Sequence, residues 1–201
     1  MVVSGPSGVG KGAIVARVRK LMPDLRFSVS ATTRQARPGE EHGRHYWFIA
    51  PEEFTALVER DGFLEWADVF GRRYGTLREP VEAELAQGHD VILEVNIDGA
   101  SQVRTQVSKG TDHAHLIFIR PPSMAELERR LRTRATESDE QIRLRLATAE
   151  RELAAEAEFD ESIVNDDLDT AAADVAAAIA RLRESDDEHD GERDEGAGPV
   201  P

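Results

Sequence analysis

A set of glycines placed around one lysine constrains this chain more than any other feature. Gly5-Pro6-Ser7-Gly8-Val9-Gly10-Lys11-Gly12 follows directly on the apolar residues Met1-Val2-Val3. The order reads as a strand, a loop with two glycines five apart, and a lysine opening a helix. Glycine lets the backbone curl so that successive N–H groups converge on a polyphosphate, and the helix adds its positive N-terminal end. Lys11 would reach the outer phosphates as a mobile point charge. A glycine-rich turn with an exposed lysine is the alternative, and the strand–loop–helix setting argues against it. The pattern GxxxxGK followed by Ser or Thr is incomplete, because Gly12 and then Ala13 stand where a hydroxyl would ligate magnesium.

With 201 residues, 40% of them apolar and 32% charged, the chain reads as one soluble domain with room for inserted subdomains. It has no cysteine, so disulfides, thiol nucleophiles and thiolate-held metals are excluded. No apolar run approaches the roughly 20 residues that cross a bilayer. Without a basic-then-apolar leader, a cytoplasmic location with no membrane partner is expected. The net charge of −14 argues against a nucleic-acid partner. Half of that excess lies at the end: residues 184–201 hold eight acids and one arginine, a net of −7. That segment is expected to be a disordered acidic tail.

Periodicity predicts a helix after the loop, ended by Pro23, then a strand over residues 27–30. Residues 34–44 carry Pro38, Gly39 and Gly43 among charges and read as a loop. Strands are expected over 45–49 and 63–70, with a turn at Gly71 into another, and helices over 51–60 and 78–87. Residues 91–95 (VILEV) and 116–119 (LIFI) read as strands buried on both faces. Helices over 98–107 and up to about Arg132 follow, and Ser138 with Gln141 marks a capping box opening a long one. A short strand at 162–165 and an alanine-rich helix over 168–182 close the pattern. The alternation predicts an α/β fold, a doubly wound parallel sheet, with consecutive short strands at 31–80 inserted as an antiparallel subdomain.

Within that insert, Arg34 and Arg37 lie three apart beside Pro38-Gly39-Glu40. Two guanidinium forks near the hydroxyls of Tyr46 and Tyr74 suit a dianionic phosphate monoester. On their own, the arginines fit surface ion pairs more readily, and Glu65 fits a solvent-facing strand residue as well as a buried reader.

Six blocks decide between these readings: SGPSGVGKG, SVSATTRQARPGE, HYWF, FLEWADVFGRRYGT, RRLRTRATES and IVNDD. In order and spacing they resemble guanylate kinases, from residue 1 to about 183. The resemblance implies a P-loop NTPase core (1–30, 81–122 and 159–183), a GMP-binding insert (about 31–80) and a helical lid (about 123–158). It implies transfer of the γ-phosphoryl group of ATP to GMP with Mg2+, giving ADP and GDP. Gly5, Pro6, Ser7, Gly8, Val9, Gly10, Lys11 and Gly12 would hold the ATP phosphates, with Asn165 at adenine. Arg34, Arg37, Tyr46 and Tyr74 would grip the GMP phosphate, with Glu40 supporting the arginines.

By the same resemblance, Glu65 would accept from guanine N1–H and the exocyclic amine, with Ser30 and Thr76 on the O6 side. Lys11 and the lid arginines Arg130, Arg134 and Arg145 would stabilise the charge of the transferred group. Glu94 and Asn96, which the resemblance also places among the GMP-binding residues, stand where the family commonly has two aspartates, so one charge is missing near the metal. With Gly12, this leaves no assigned protein ligand, and magnesium is expected to be held mainly by phosphates and water. The oligomeric state is left open. The rival readings are a non-catalytic module of the same shape that binds phosphorylated partners, and a relative acting on another monophosphate.

Overall fold

Val2, Val3, Ile92, Ile117 and Ile163 sit in short β-branched runs, which favour a pleated surface over a helix. In the computed structural model these runs lie side by side in one sheet; the structure describes residues 1–69, 71–107, 114–133 and 138–194. Its five strands are β1 (Val2–Ser4), β2 (Arg26–Phe27), β7 (Val91–Glu94), β8 (Leu116–Arg120) and β9 (Glu161–Val164), all parallel, in the order β2-β7-β1-β8-β9. Adjacent side chains point to opposite faces, so Val3, Ile92, Ile117 and Ile119 pack under α1 (Lys11–Leu21) and α7 (Leu168–Asp194). Val2, Val91, Leu93 and Leu116 face Val81 of α3 (Arg78–Leu85) and Ala100 and Val103 of α4 (Ile97–Val107). Each such buried aliphatic contributes about 1.5–3 kcal/mol against exposure. The result places β1 at the centre, with its loop opening at the carboxyl edge of the sheet, where α/β folds bind ligands.

The inserted segment forms a second sheet. Strands β3 (Ala31–Thr32), β4 (Trp47–Phe48), β5 (Phe63–Val69) and β6 (Arg72–Leu77) lie in the order β4-β3-β6-β5. This sheet is mixed: β3 and β4 run parallel, and the other pairs are antiparallel. Helix α2 (Pro51–Glu59) closes it, with Phe54 stacked on Phe63 at 4.4 Å in a core of its own. Helices α5 (Met124–Thr133) and α6 (Asp139–Ala154) pack Leu127, Leu131, Ile142 and Ala149 into another separate cluster. Ser138 and Gln141 form a reciprocal capping box at the start of α6. Both units thus carry apolar clusters of their own beside the parallel sheet.

Two elements differ from the sequence reading. Of the strand expected at 27–30 only Phe27 lies in a strand, β2; residues 28–30 carry the chain from the parallel sheet to the mixed one, where β3 begins at Ala31. Residues 184–194, expected in a disordered tail, continue α7 to Asp194. A helix already nucleated adds residues at little cost, and the stretch holds a single glycine and no proline. Residues 195–201 lie outside the described residues. Among the described residues, no helix is long and apolar enough to cross a membrane.

Candidate active site

The loop between β1 and α1 takes its shape from glycines in positions no other residue tolerates. Gly5 has a φ of 143°, and a Cβ there would lie 2.1 Å from the Ile119 carbonyl oxygen. Gly10 caps α1 in the left-handed region at φ 104°. Lys11 folds back so that its Nζ donates to the carbonyls of Gly5 at 2.6 Å and Pro6 at 3.4 Å. Burial lowers the Lys11 pKa, and the carboxylates of Glu94 and Glu152 oppose that shift.

Glu94 ends β7 facing the loop. It is open to solvent on one side but crowded by protein on the others, and this desolvation pushes its carboxyl up, with Lys11 pulling the other way. A Cβ on Gly12 would meet Glu94 Oε2 at 3.4 Å, so the residue lacking the hydroxyl faces the carboxylate directly. Glu152, on α6, accepts from the Ser7 N–H at 3.2 Å. Among the described residues, no group of three or more acids or histidines is arranged to hold a metal.

Asn165 follows β9 and is 3% exposed; its Nδ2 donates to the Val9 carbonyl at 2.7 Å. The amide lies under the loop and supports it; its expected place at adenine rests on the resemblance. Arg130 is tied to the loop as well. Its guanidinium donates to the carbonyls of Asn165 at 2.9 Å, Val9 at 3.4 Å and Asp166 at 3.4 Å, while Nε is held by Glu126 at 2.7 Å. It ties α5 to the loop. Arg145 is half-buried on α6, and Arg134 lies outside the described residues.

Across the cleft, the insert builds a cationic clasp. Arg34 is buried and forms a fork with Glu40, Nη1 to Oε2 at 2.8 Å and Nη2 to Oε1 at 2.9 Å. Glu40 also accepts from the Arg37 N–H at 2.7 Å, and these bonds hold its carboxyl down at about 2. The Arg34 pKa is raised, first by Glu40, with the Tyr74 hydroxyl contributing. Its guanidinium lies 5.3 Å from the Tyr46 ring centroid, and Tyr46 packs edge-on against Tyr74 at 6.1 Å. Burial raises the Tyr46 pKa, and Glu94 adds to it, which places the end of β7 within electrostatic reach of the clasp. Arg37 is exposed at the rim.

At the other end of the insert, Glu65 is 7% exposed, and its Oε1 accepts from Thr76 Oγ1 at 2.7 Å. Burial raises its pKa, opposed by the Thr76 hydroxyl and N–H. Ser30 is half-buried, and its carbonyl accepts from Trp47 N–H at 2.9 Å. Asn96 caps α4, Oδ1 accepting from Gly99 N–H at 2.7 Å. It is engaged in structure, and an aspartate would cap equally well, so the missing charge costs the helix nothing.

Sequence reasoning missed Glu152, Gly99 and Gln102. Glu152 lies seven residues after Arg145 on the same helical stripe, a spacing that could have drawn it in. Nothing local marks Gly99 or Gln102.

The arrangement sets a ring of main-chain amides and a lysine against a cationic, tyrosine-lined clasp, with a buried carboxylate beyond. The family model described as guanylate kinase matches residues 1–182. A guanylate kinase of Synechococcus sp. (strain CC9311) is 52% identical over 174 residues, covering 87% of this chain and 90% of that protein. The guanylate kinase of Escherichia coli (strain K12) is 49% identical over 188 residues, covering 92% and 89%. A solved guanylate kinase from Anaplasma phagocytophilum superposes with a TM-score of 0.71 at 31% identity, covering 90% of this chain and 84% of that one.

Proposed function

This chain belongs to the guanylate kinase family, and from that premise we propose that it transfers the γ-phosphoryl group of ATP to GMP, giving ADP and GDP. The observation that carries the reading is Glu65, a buried carboxylate with hydroxyl and N–H support from Thr76 and, among the described residues, no paired cation. Such a group accepts hydrogen bonds from guanine N1–H and the exocyclic amine. Adenine offers an acceptor at N1 and no amine at C2, so it leaves the buried carboxylate unpaired, at a cost of about 1–3 kcal/mol or more.

The reaction needs positioning and charge stabilisation, and the GMP phosphate itself is the nucleophile. The amides of residues 5–12 and Lys11 hold the ATP phosphates, with Asn165 and Arg130 keeping the loop in shape. Arg34, Arg37, Tyr46 and Tyr74 grip the GMP phosphate, and Glu40 fixes the plane of the Arg34 guanidinium. Lid closure brings in Arg145 and Arg134, which neutralise charge on the transferred group and exclude water. Mg2+ would supply Lewis-acid stabilisation of the phosphates, held mainly by phosphate and water oxygens, with Glu94, whose carboxylate faces the loop, as the protein group that would attract it. The units are a parallel core, an insert over about 31–80 and a lid over about 123–158. Nothing in the site calls for nucleic acid or a membrane.

Measuring ADP release with GMP, AMP, UMP and CMP as acceptors tests the reading. Turnover with GMP alone is expected, and Lys11→Ala is expected to abolish it while GMP still binds. GMP binding without turnover in the unaltered protein would instead favour a non-catalytic module. Turnover confined to another monophosphate would overturn the substrate assignment.

A further inference from the structure

We infer that Gly99 and Gln102, one turn apart on α4, form the seat that aims the Glu65 carboxylate, and so act as positioning residues for guanine recognition. The inference rests on the reading of Glu65 given above.

Strand β5 is the terminal strand of the mixed sheet, so one edge of its backbone has no strand beside it. Gln102 fills that role at the residue next to Glu65. Its Oε1 accepts from Trp66 N–H at 3.1 Å, and its Nε2 donates to the Trp66 carbonyl at 3.0 Å. One side-chain amide thus pairs with both polar groups of Trp66, as a neighbouring strand would.

Gly99 sets the other limit. A Cβ at this position would lie 2.6 Å from Glu65 Oε2 and 3.0 Å from Asn96 Oδ1. The carboxylate lies in volume that any larger residue fills. Thr76 holds the opposite oxygen at 2.7 Å. Backbone pin, floor and wall together leave Glu65 one orientation. A carboxylate that recognises two N–H groups of a planar base tolerates a displacement of about 0.5 Å. Helix α4 packs on the parallel sheet and Glu65 belongs to the insert. The seat therefore sets the reader relative to the phosphate loop as well as within the insert.

Gly99→Ala, Gln102→Ala and Glu65→Gln are compared by steady-state kinetics with GMP and with IMP, which carries the same phosphate without the exocyclic amine. KM for ATP and Tm are measured on the same proteins. Alanine raises helix propensity over glycine, which offsets the shift it forces on the Glu65 carboxylate. Tm of Gly99→Ala is thus expected to hold or rise while KM for GMP increases about tenfold and the preference for GMP over IMP shrinks. Gln102→Ala is expected to move the same constants, with KM for ATP unchanged. If Glu65→Gln loses the preference but both α4 variants keep wild-type KM values, the seat is refuted and base reading stands. If Glu65→Gln itself keeps the preference, the parent reading fails. Parallel losses in ATP, GMP and Tm would assign the two residues to structure alone and overturn the inference.

Discussion

Asn165 donates its Nδ2 hydrogen to the Val9 carbonyl at 2.7 Å, so the residue that follows β9 holds the phosphate-binding loop from beneath. The same contact explains Gly10, where a Cβ would stand 2.7 Å from that nitrogen. Asn165→Ala leaves the Val9 carbonyl to Arg130 alone and opens a small void. The expected loss is about 1–3 kcal/mol, a Tm decrease of several degrees for a domain of this size. KM for ATP is expected to rise with KM for GMP unchanged. Thermal melts and kinetics with each nucleotide varied check this; an unaltered KM for ATP would remove Asn165 from the loop's support.

Glu40 and Arg34 form the second testable pair. Glu40 titrates at about 2 against its ordinary 4.5, with the Arg34 fork and the Arg37 N–H as causes. A depressed carboxyl stabilises the fold above its unfolded value, and that stability is lost as pH falls through the folded value. Glu40→Gln is therefore expected to melt below the wild type near neutrality, with the gap closing between pH 4.5 and about 2. The freed guanidinium also loses its fixed plane, so KM for GMP rises with little change in kcat. A melting gap that persists unchanged into acid would show that the carboxylate's charge is not what holds Arg34.

What could be read in advance follows from how local each signal is. The runs VILEV and LIFI announce strands buried on both faces because every residue in them is apolar or nearly so. The phosphate loop is legible because its glycines answer to backbone demands met within a few residues. The capping box at Ser138 and Gln141 is legible for the same reason. Residues 28–30 fall outside any strand, since β propensity does not show where a chain leaves one sheet for another. Asn165 shows the same limit at the level of a side chain: an amide's chemistry is visible, but not whether it faces a base or a carbonyl contributed from 156 residues away. Glu152 and Gln102 reach partners on other elements, and only the packed chain brings them together.

Burial makes Glu65 sensitive to pH in the opposite sense from Glu40. Its pKa is raised by desolvation, so it takes up a proton above the ordinary 4.5 as pH falls. The protonated form loses acceptor capacity toward guanine. KM for GMP in the wild type, divided by that of Glu65→Gln, is expected to climb on acidification; the ratio cancels ionisation of the GMP phosphate itself. Stability runs the other way. A raised carboxyl stabilises the fold below its unfolded value, and this is lost as pH rises through the folded one. Glu65→Gln is thus expected to melt above the wild type at neutral pH, with the gap fading toward pH 4.5. A variant less stable at neutral pH would mean that the ionised carboxylate is better paired than its surroundings indicate.

Gly12 bears on how tightly magnesium is held. A Cβ there would meet Glu94 Oε2 at 3.4 Å, an ordinary contact, and Gly12 lies within α1 with no left-handed φ to strain a side chain. Gly12→Ser therefore fits, and it sets a hydroxyl beside the carboxylate that faces the loop. Magnesium takes six oxygens at short range and gives up its waters reluctantly, so one added protein oxygen lowers the metal concentration needed to form the productive complex. Half-saturating magnesium, measured by turnover at fixed ATP, is expected to fall several-fold, with Tm and KM for GMP unchanged. Glu94→Gln is expected to shift the same curve upward, because a neutral amide attracts the cation less. If neither variant moves the magnesium curve, phosphate and water oxygens alone hold the ion, and Glu94 acts only through its field on Lys11.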